Sequence, residues 1–422
     1  MNKVINSIKT IWKKGLIHIL TGTFIIKLIS FFGSIFLVRV LNKQDYGVLG
    51  YLENIYGYVF IFAGIGVSNA ILRYVVLGKD RQEKYIFFSY AYKMGFFVNC
   101  ILVIIAIVMC FFYPHPEVYQ NSGWLLYILL LSLPFQYITD NVLCNERAMF
   151  ANQRYAFFSL LLSASIIVGK IISGTLFGIV GVVFCQGATY FVMALFFLFS
   201  TKHKYYQDLK GGAIEAEQRK EMNVYSFQYM ITNGLWAIFM LNDTFLLGRY
   251  CRPEILAEYK VAYTIPGSVT LISTAIGIFV APYFVKNEND TDWIKYNFKR
   301  AYIINALFVG LVCVGIAVLS KPIIWILYGN QYLGISNIMR ILLLAAFLNC
   351  GLRYTVANIL AAMGKVKYNM IVSTIGILLQ LGLNIKIVPV YGAVGVATTS
   401  CIVYGCMAII LLTVFIKQYY GR

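Results

Sequence analysis

Charged residues are scarce in this sequence. Only 12% of its 422 residues are Asp, Glu, Lys or Arg, whereas 60% are apolar, and the mean hydropathy is +0.75. A chain of this composition cannot cover its apolar surface with polar side chains, which excludes an ordinary water-soluble domain. The composition therefore predicts that the lipid bilayer is the solvent.

Metal-binding and nucleotide-binding patterns are missing too. The three histidines, His18, His115 and His203, lie in separate segments, and none of the nine cysteines forms a C-x-x-C pair. No metal-ligand spacing follows from these residues, so we expect neither a metal ion nor another cofactor. The P-loop pattern G-x-x-x-x-G-K-[ST] is also absent, which makes a P-loop ATPase improbable. No A-x-A-like cleavage site follows the first apolar window, so the first span is expected to be retained.

What the sequence does contain is a long series of apolar windows. A hydrocarbon core about 30 Å thick needs about 20 apolar residues per helical span, and connections too short for a soluble domain separate the windows. We therefore predict an all-α integral membrane protein with about twelve transmembrane helices. The windows are 16–40, 47–75, 85–112, 124–146, 155–177, 180–200, 225–249, 255–283, 301–320, 336–361, 368–388 and 392–416.

The excess of basic residues predicts the orientation in the membrane. The net charge is +18, and with the N-terminus inside, 22 of the 35 lysines and arginines fall in inner segments. Only Lys43, Arg252 and Lys321 fall in outer loops. Positive charge accumulates on the cytoplasmic side of membrane proteins, so we predict an even number of spans with both termini cytoplasmic. Anionic lipid explains most of this charge, and no nucleic acid is expected as a partner.

The chain is predicted to divide into two similar lobes. The longest polar segment, 201–224, would be a cytoplasmic linker between an N-terminal lobe, 1–200, and a C-terminal lobe, 225–422. Each lobe would contain six helices. Weak internal similarity of this kind is typical of transporters built from two repeats related by an axis along the membrane normal.

Short matches between the halves support this repeat. FGIVGV at 177–182 and YGAVGV at 391–396 share G-x-V-G-V, and FANQRY at 150–155 aligns with MGKVKY at 363–368. The offset is near 213 residues, about half the chain. We interpret the glycines, together with Gly174-x-x-x-Gly178, as positions where helix backbones pack closely in lipid.

Four segments resemble a known family. They are VRVLNKQDYG at 38–47, ILYGNQY at 326–332, A-x-M-G-K at 361–365 and the late G-x-V-G-V. The chain resembles the polysaccharide-transporter branch of the multidrug/oligosaccharidyl-lipid/polysaccharide superfamily, which contains the O-antigen and capsule flippases. The resemblance covers nearly the whole chain.

The resemblance implies a V-shaped twelve-helix fold with a central cavity between the lobes. It also implies export of an undecaprenyl-diphosphate-linked oligosaccharide, the repeat unit of O-antigen, capsule or exopolysaccharide, across the bacterial inner membrane. The expected partners are this lipid-linked substrate, membrane lipids, H⁺ or Na⁺ as coupling ion, and a polysaccharide polymerase with its chain-length regulator.

Basic residues inside the predicted spans are the candidates for substrate binding. An ionisable side chain at membrane depth is costly, so those present usually face a wet cavity or a partner. A diphosphate needs positive counter-charge, and arginine can donate two parallel hydrogen bonds to it. The alternative is a structural role in ion pairs across helices. The candidates are Lys27, Arg73, Lys93, Lys170 and Arg353.

Three acids inside the predicted spans, Glu53, Asp140 and Asp243, are the candidates for ion coupling or gating. The protonation of such a carboxylate can follow the occupancy of a nearby cationic site. At an offset of 213, Asp140 aligns with Arg353, and equivalent positions face each other across the axis. We therefore predict that these two residues form an ion pair that closes the cytoplasmic gate.

Other functions remain open at this point. A drug or cation antiporter of the same superfamily would favour acids in its cavity, whereas the intramembrane charges here are mainly basic. A peptidoglycan-precursor flippase often has two more spans. An integral-membrane enzyme of glycan assembly would need a large catalytic outer loop, and the longest one here, 320–335, contains no acid or histidine. A transporter rather than an enzyme is predicted.

Overall fold

The computed structural model describes residues 16–112, 116–209 and 212–420, and every regular element in these ranges is helical. Six basic residues used to predict the orientation lie outside them: Lys3, Lys9, Lys13, Lys14, Lys210 and Arg422. The chain divides into two compact units, Met1–Ile238 and Phe239–Arg422. The all-α membrane fold is confirmed.

The N-terminal unit is built from helices of very different length. A 3₁₀ turn, Ala63–Gly66, separates its second and third helices, and a single turn, Glu117–Gln120, precedes the fifth. The helices are α1 Leu16–Val40, α2 Lys43–Phe60, α3 Val67–Leu77, α4 Arg81–Phe112, α5 Trp124–Leu131, α6 Leu133–Ala148, α7 Asn152–Tyr206 and α8 Ala216–Tyr250, the last of which continues into the second unit.

The C-terminal unit is also built from helices of very different length. Its helices are α9 Pro253–Ser268, α10 Thr270–Lys286, α11 Thr291–Val318, α12 Ser320–Tyr328, a 3₁₀ turn Asn330–Ile335, α13 Ser336–Ala346, a π-helical segment Phe347–Arg353, α14 Tyr354–Ala362 and α15 Val366–Tyr419. Most of the predicted linker 201–224 is helical, because α7 extends to Tyr206 and α8 begins at Ala216. The predicted outer loop 320–335 is likewise a short helix followed by a 3₁₀ turn.

The surface of the long helices fits a lipid environment. Within the described residues, seven helices are long and apolar enough to cross a membrane, and the pair Lys43–Phe60 and Ala63–Leu77, bent by 48°, is an eighth candidate. Along α4, Phe97, Ile104, Val108 and Phe111 are exposed and recur at helical spacing. A continuous apolar stripe of this kind matches acyl chains and would be unfavourable in water.

The two longest helices are each a hairpin of two spans. A straight helix of the 55 residues in α7 would measure about 80 Å, far more than a membrane core. Instead α7 breaks at Gly178 (φ 60°, ψ −147°) and folds back, so that Gly169 packs against the Cys185 side chain. In the same way α15 breaks at Gly392 (φ 51°, ψ −131°) and Gly376 packs against Met407. Each hairpin contains two predicted windows.

The backbone repeats between the units at an offset of 214 residues. Gly392 follows Gly178 by this number (392 minus 178), and the positive-φ residues Phe150 and Gly364, which follow α6 and α14, have the same separation. At both helix ends the closing hydrogen bond is equivalent: Ala151 N–H donates to Glu146 O at 2.9 Å, and Lys365 N–H donates to Leu360 O at 2.8 Å. These are the bonds of a Schellman C-cap.

This offset corrects the predicted alignment of Asp140 with Arg353. At 214 residues, Asp140 corresponds to Tyr354, one position further along. The count of 213 came from aligning FANQRY with MGKVKY, which is one residue out of register, since Phe150 is equivalent to Gly364. The repeat therefore gives no support to a pair between Asp140 and Arg353, and this pair stays a prediction.

The glycines of the repeat have two different roles. A Cβ on Gly174 would lie 3.1 Å from the side chains of Val40 and Val182, so this glycine allows close packing, as predicted. No atom lies within 4 Å of a Cβ placed on Gly178. The packing interpretation is wrong for Gly178, which is needed for its backbone conformation.

Alanine at Gly178 or Gly392 is expected to lower the free energy of unfolding by about 1–3 kcal/mol, since these φ, ψ values are nearly restricted to glycine. A clash would not explain the loss, because the nearest atom to a Cβ on Gly392 is 3.5 Å away. Thermal unfolding of the purified variants in detergent measures this loss of stability. The matched control is Gly315→Ala in α11, a helical glycine with open space around it. Equal melting temperatures for Gly178→Ala and Gly315→Ala would contradict the strained turn.

Candidate functional site

The second predicted span is interrupted in the N-terminal unit. Between α2 and α3, three consecutive residues, Gly64, Ile65 and Gly66, have φ of 54°, 52° and 77°. Positive φ is rare for a β-branched residue such as Ile65 and indicates a backbone held by its surroundings. The Gly64 N–H donates to Asn99 Oδ1 of α4 at 3.0 Å, which replaces a lost helical hydrogen bond.

A tyrosine on α6 fixes the same break. The Tyr137 hydroxyl donates to the Ala91 carbonyl of α4 at 2.9 Å, and a Cβ on either Gly64 or Gly95 would overlap the Tyr137 ring. The ring therefore fits between two glycines on neighbouring helices. This contact holds α2, α4 and α6 together at the interruption.

A cavity of about 410 Å³ lies beside the interruption; we refer to it as the N-terminal cavity. Asp140 and Arg147 of α6 both line it, and seven residues along a helix separate them by about 10 Å on the same face. The Asp140 carboxylate accepts no hydrogen bond from the described residues of this unit. The remaining polar and aromatic lining comes mainly from Phe60, Ser68, Asn69, Tyr137, Tyr155, Tyr229 and Asn233.

The C-terminal unit contains a second polar cavity of about 220 Å³, centred on Asp243. The Asp243 carboxylate accepts hydrogen bonds from Asn384 Nδ2 at 2.7 Å, Gln380 Nε2 at 2.9 Å and the Tyr259 hydroxyl at 3.1 Å, with the Ser400 hydroxyl at 3.4 Å. These partners come from α9 and from both arms of the α15 hairpin. Four neutral donors thus converge on one acid.

Two carbonyl oxygens beside Asp243 lack donors. Gln380 Oε1 and Asn384 Oδ1 are buried, and neither has a hydrogen-bond partner among the described residues. A buried unsatisfied oxygen is costly, so an additional group is expected to contact it. Asp243 was predicted from the sequence, whereas its partners, which carry no charge, were not. The spacing of Gln380 and Asn384, four residues apart in an apolar helix, was the available signal.

Three of the predicted substrate-binding cations are exposed on the described structure. Lys27 lies on α1, Arg73 on α3 and Lys93 on α4, and none of them lines either cavity. The Arg73 guanidinium lies 5.5 Å from the centre of the Tyr225 ring. Their predicted role in binding substrate stays a prediction.

Two residues predicted to have separate roles form an ion pair. Lys170 Nζ lies 2.8 Å from Glu53 Oε1, joining the α7 hairpin to α2. The sequence analysis assigned Lys170 to the substrate and Glu53 to ion coupling. Their contact supplies each with counter-charge inside the predicted spans.

Arg353 is buried at 7% exposure in the C-terminal unit. Its Nε donates to Asn349 Oδ1 at 2.7 Å, and its guanidinium lies 5.9 Å from the centre of the Tyr404 ring. Asn349 and Tyr404 both line the Asp243 cavity. Arg353 is therefore connected to that cavity through neutral side chains.

The sequence analysis also missed a buried acid at the end of α6. Glu146 is fully buried and accepts Arg154 Nε at 3.1 Å, the Thr201 hydroxyl at 2.7 Å and the Tyr205 hydroxyl at 3.0 Å. These contacts join α6 to both arms of the α7 hairpin. Arg154 was counted only as a positive charge in a cytoplasmic segment, and Glu146 was not considered.

Paired helical hairpins, an interrupted span and polar cavities within the predicted spans are features of a multi-pass membrane protein. Solved structures share this fold. The inward-closed lipid II flippase MurJ aligns with 95% of this chain and 89% of its own, with a TM-score of 0.75 and 17% identity. An inward-facing multidrug resistance MATE family transporter of the MOP superfamily aligns over 94% of this chain and 95% of its own chain, with a TM-score of 0.68 and 14% identity.

The chain belongs to the polysaccharide biosynthesis protein family, whose model matches residues 36–337. An uncharacterized membrane protein of Methanocaldococcus jannaschii is 20% identical over 408 residues, which cover 88% of this chain and 78% of the archaeal protein. The family and the fold confirm the resemblance seen in the sequence.

Proposed function

We propose that this protein translocates an undecaprenyl-diphosphate-linked oligosaccharide from the inner to the outer leaflet of the bacterial inner membrane. The observation that carries the proposal is the fold shared over 95% of the chain with a lipid II flippase, in a member of a polysaccharide biosynthesis family. The cargo would be the repeat unit of an O-antigen, capsule or exopolysaccharide. A polymerase and its chain-length regulator would act on the product.

The physical problem in this reaction is the polar head of the lipid. A charged diphosphate with sugars cannot cross hydrocarbon at a useful rate, because its hydration would be lost without compensation. A hydrated cavity that opens alternately to either side removes this barrier while the polyprenyl tail stays in lipid. We propose that Lys27, Arg73, Lys93 and Arg353 supply counter-charge along this path.

We propose that Lys170 and Glu53 act together through their ion pair. Their ion pair at 2.8 Å would break if a phosphate approached Lys170, and the loss of this cation would raise the proton affinity of Glu53. Such an exchange links substrate arrival to protonation. Asp140 is proposed to act in the same transport path, in the N-terminal cavity.

The Asp243 cavity is the proposed site of the coupling ion, H⁺ or Na⁺. A sodium ion prefers hard oxygen ligands, and the site offers the Asp243 carboxylate, two hydroxyls and two amide groups. Rotating the amide of Gln380 or Asn384 by half a turn would direct its unpaired oxygen at the carboxylate side. A cation bound between the carboxylate and the two amides would contact both Gln380 Oε1 and Asn384 Oδ1. A proton on Asp243 would donate to only one of these oxygens.

Translocation by the purified full chain in lipid vesicles tests the proposed function. A fluorescent undecaprenyl-diphosphate-linked oligosaccharide in the outer leaflet should become protected from a membrane-impermeant quencher only in vesicles that contain the protein. Deletion of the gene in its host should cause the lipid-linked oligosaccharide to accumulate on the cytoplasmic leaflet. Intact surface glycan without any accumulation would contradict the assignment.

A MATE-like multidrug or cation antiporter is the second candidate. The fold similarity to MATE transporters favours it. The Asp140 carboxylate, which accepts no hydrogen bond from the described residues of its unit, would attract a cation, although Arg147 in the same cavity would repel it. The same vesicles separate the two functions. Accumulation of a cationic dye against an ion gradient, with no movement of the lipid-linked oligosaccharide, would establish the antiporter.

A further inference from the structure

We propose that the N-terminal cavity binds the head of the lipid-linked substrate in one fixed orientation, with the diphosphate at Arg147 and the first sugar at Asp140. This inference rests on the proposed function and assigns a binding role to Arg147, which the sequence analysis counted only as a cytoplasmic charge. It also predicts that the first sugar is a neutral hexose or N-acetylhexosamine.

The spacing on α6 carries the orientation. Asp140 and Arg147 face one cavity from the same side of one helix, about 10 Å apart along its axis. This axial rise between the two helix positions is of the same order as the length of a diphosphate joined to one hexose ring. A rigid helix fixes the distance, so a ligand with the opposite order of charge would place its phosphate against the carboxylate.

Arg147 is available to an anion. Its side chain is exposed and its guanidinium lies 5.5 Å from the centre of the Tyr155 ring, which supports the group without using its N–H donors. Arg147 forms no ion pair with the described residues. The contrast is Arg154, seven residues further along, whose Nε is bonded to the buried Glu146 carboxylate. Of these two arginines, only Arg147 keeps the planar fork of donors that phosphate recognition uses.

The groups around Asp140 are those that bind a sugar. The Asp140 carboxylate, which accepts no hydrogen bond from the described residues of its unit, can accept hydrogen bonds from two neighbouring sugar hydroxyls, and Asn69 and Asn233 add further polar groups. Tyr229, whose ring is exposed, contributes aromatic surface to the same lining.

The same cavity is less suited to other ligands. Its volume of about 410 Å³ is far larger than a single ion needs and lies within the range of small-molecule sites. Arg147 in the same cavity opposes an organic cation, and the Asp140 charge opposes a uronic acid at the deeper end. A neutral sugar linked to a diphosphate satisfies both charged residues.

Two probes and two variants test the orientation. Binding of undecaprenyl diphosphate, and of undecaprenyl-diphosphate-linked N-acetylglucosamine, would be measured on the purified full chain in lipid nanodiscs. Arg147→Gln should weaken both probes by about tenfold or more, because a hydrogen-bonded charge is lost from the diphosphate. Asp140→Asn should weaken only the sugar-bearing probe, by about five- to tenfold.

A matched control is Lys204→Gln, since Lys204 is also an exposed cation over a tyrosine ring, 5.1 Å from the centre of Tyr205, and does not line the cavity. Its affinities should equal those of the wild type, and melting temperatures establish that each variant is folded. If the wild type binds neither probe, the proposed function fails. If the wild type binds both but Arg147→Gln changes neither, or Asp140→Asn weakens both equally, the orientation is overturned and the flippase assignment stands.

Discussion

Asp243→Asn is expected to remove all stimulation of transport by an ion gradient. Four neutral side chains surround this carboxylate, which carries the only negative charge among the described residues lining its cavity. The asparagine keeps the size of the side chain but neither attracts a cation nor takes up a proton. Translocation should fall to the rate that wild-type vesicles show without a gradient.

The measurement compares vesicles with and without an imposed Na⁺ or H⁺ gradient. Asp292→Asn is the matched control, because this acid is almost fully exposed in the first turn of α11 and should leave the stimulation unchanged. The ion whose gradient stimulates the wild type but not Asp243→Asn is the coupling ion. A normal response of Asp243→Asn to both gradients would exclude Asp243 from coupling.

The second large effect is expected at the Glu146 network. Arg154→Gln leaves the fully buried Glu146 carboxylate without its cation, and breaking a buried ion pair in this way costs about 3–5 kcal/mol. The remaining donors, Thr201 and Tyr205, are neutral and compensate for only part of the loss. The melting temperature in detergent should fall sharply.

The double variant Glu146→Gln, Arg154→Gln separates the ion pair from simple packing. Because no uncompensated charge remains, it should be more stable than Arg154→Gln alone. Lys202→Gln, which removes a half-buried cation 4.8 Å from the centre of the Tyr92 ring, controls for the loss of one positive charge. A double variant less stable than Arg154→Gln would show that the pair does not control stability.

A tyrosine lies at equivalent positions in the two units, but it contacts an acid in one unit and a base in the other. Tyr419 corresponds to Tyr205 at the offset of 214 residues, and its hydroxyl accepts Lys365 Nζ at 2.7 Å where Tyr205 donates to Glu146. A hydroxyl can both donate and accept, so the same residue serves an acid in one unit and a base in the other. The two units therefore have the same backbone conformation at these positions but charged side chains of opposite sign.

Site residues were predicted with less success than spans. Glu53 and Lys170 were both identified as costly intramembrane charges, but their contact joins positions 117 residues apart and depends on how α2 and α7 rotate against each other. Gln380 and Asn384 gave no charge signal. The alignment of Asp140 with Arg353 was one position out of register, because Phe150 is equivalent to Gly364 and not to Met363.

The sequence by itself determined that this is a helical membrane protein, and it predicted the repeat. In lipid every backbone polar group must be satisfied within the chain, so long apolar windows leave little choice but helices. Only the tertiary structure decided which charges meet. Which side chains meet across two helices depends on how each helix is rotated about its axis. Composition does not decide this rotation, because an apolar helix fits lipid equally well at many rotations. For that reason Glu53 and Lys170 became one ion pair only when the helices were packed.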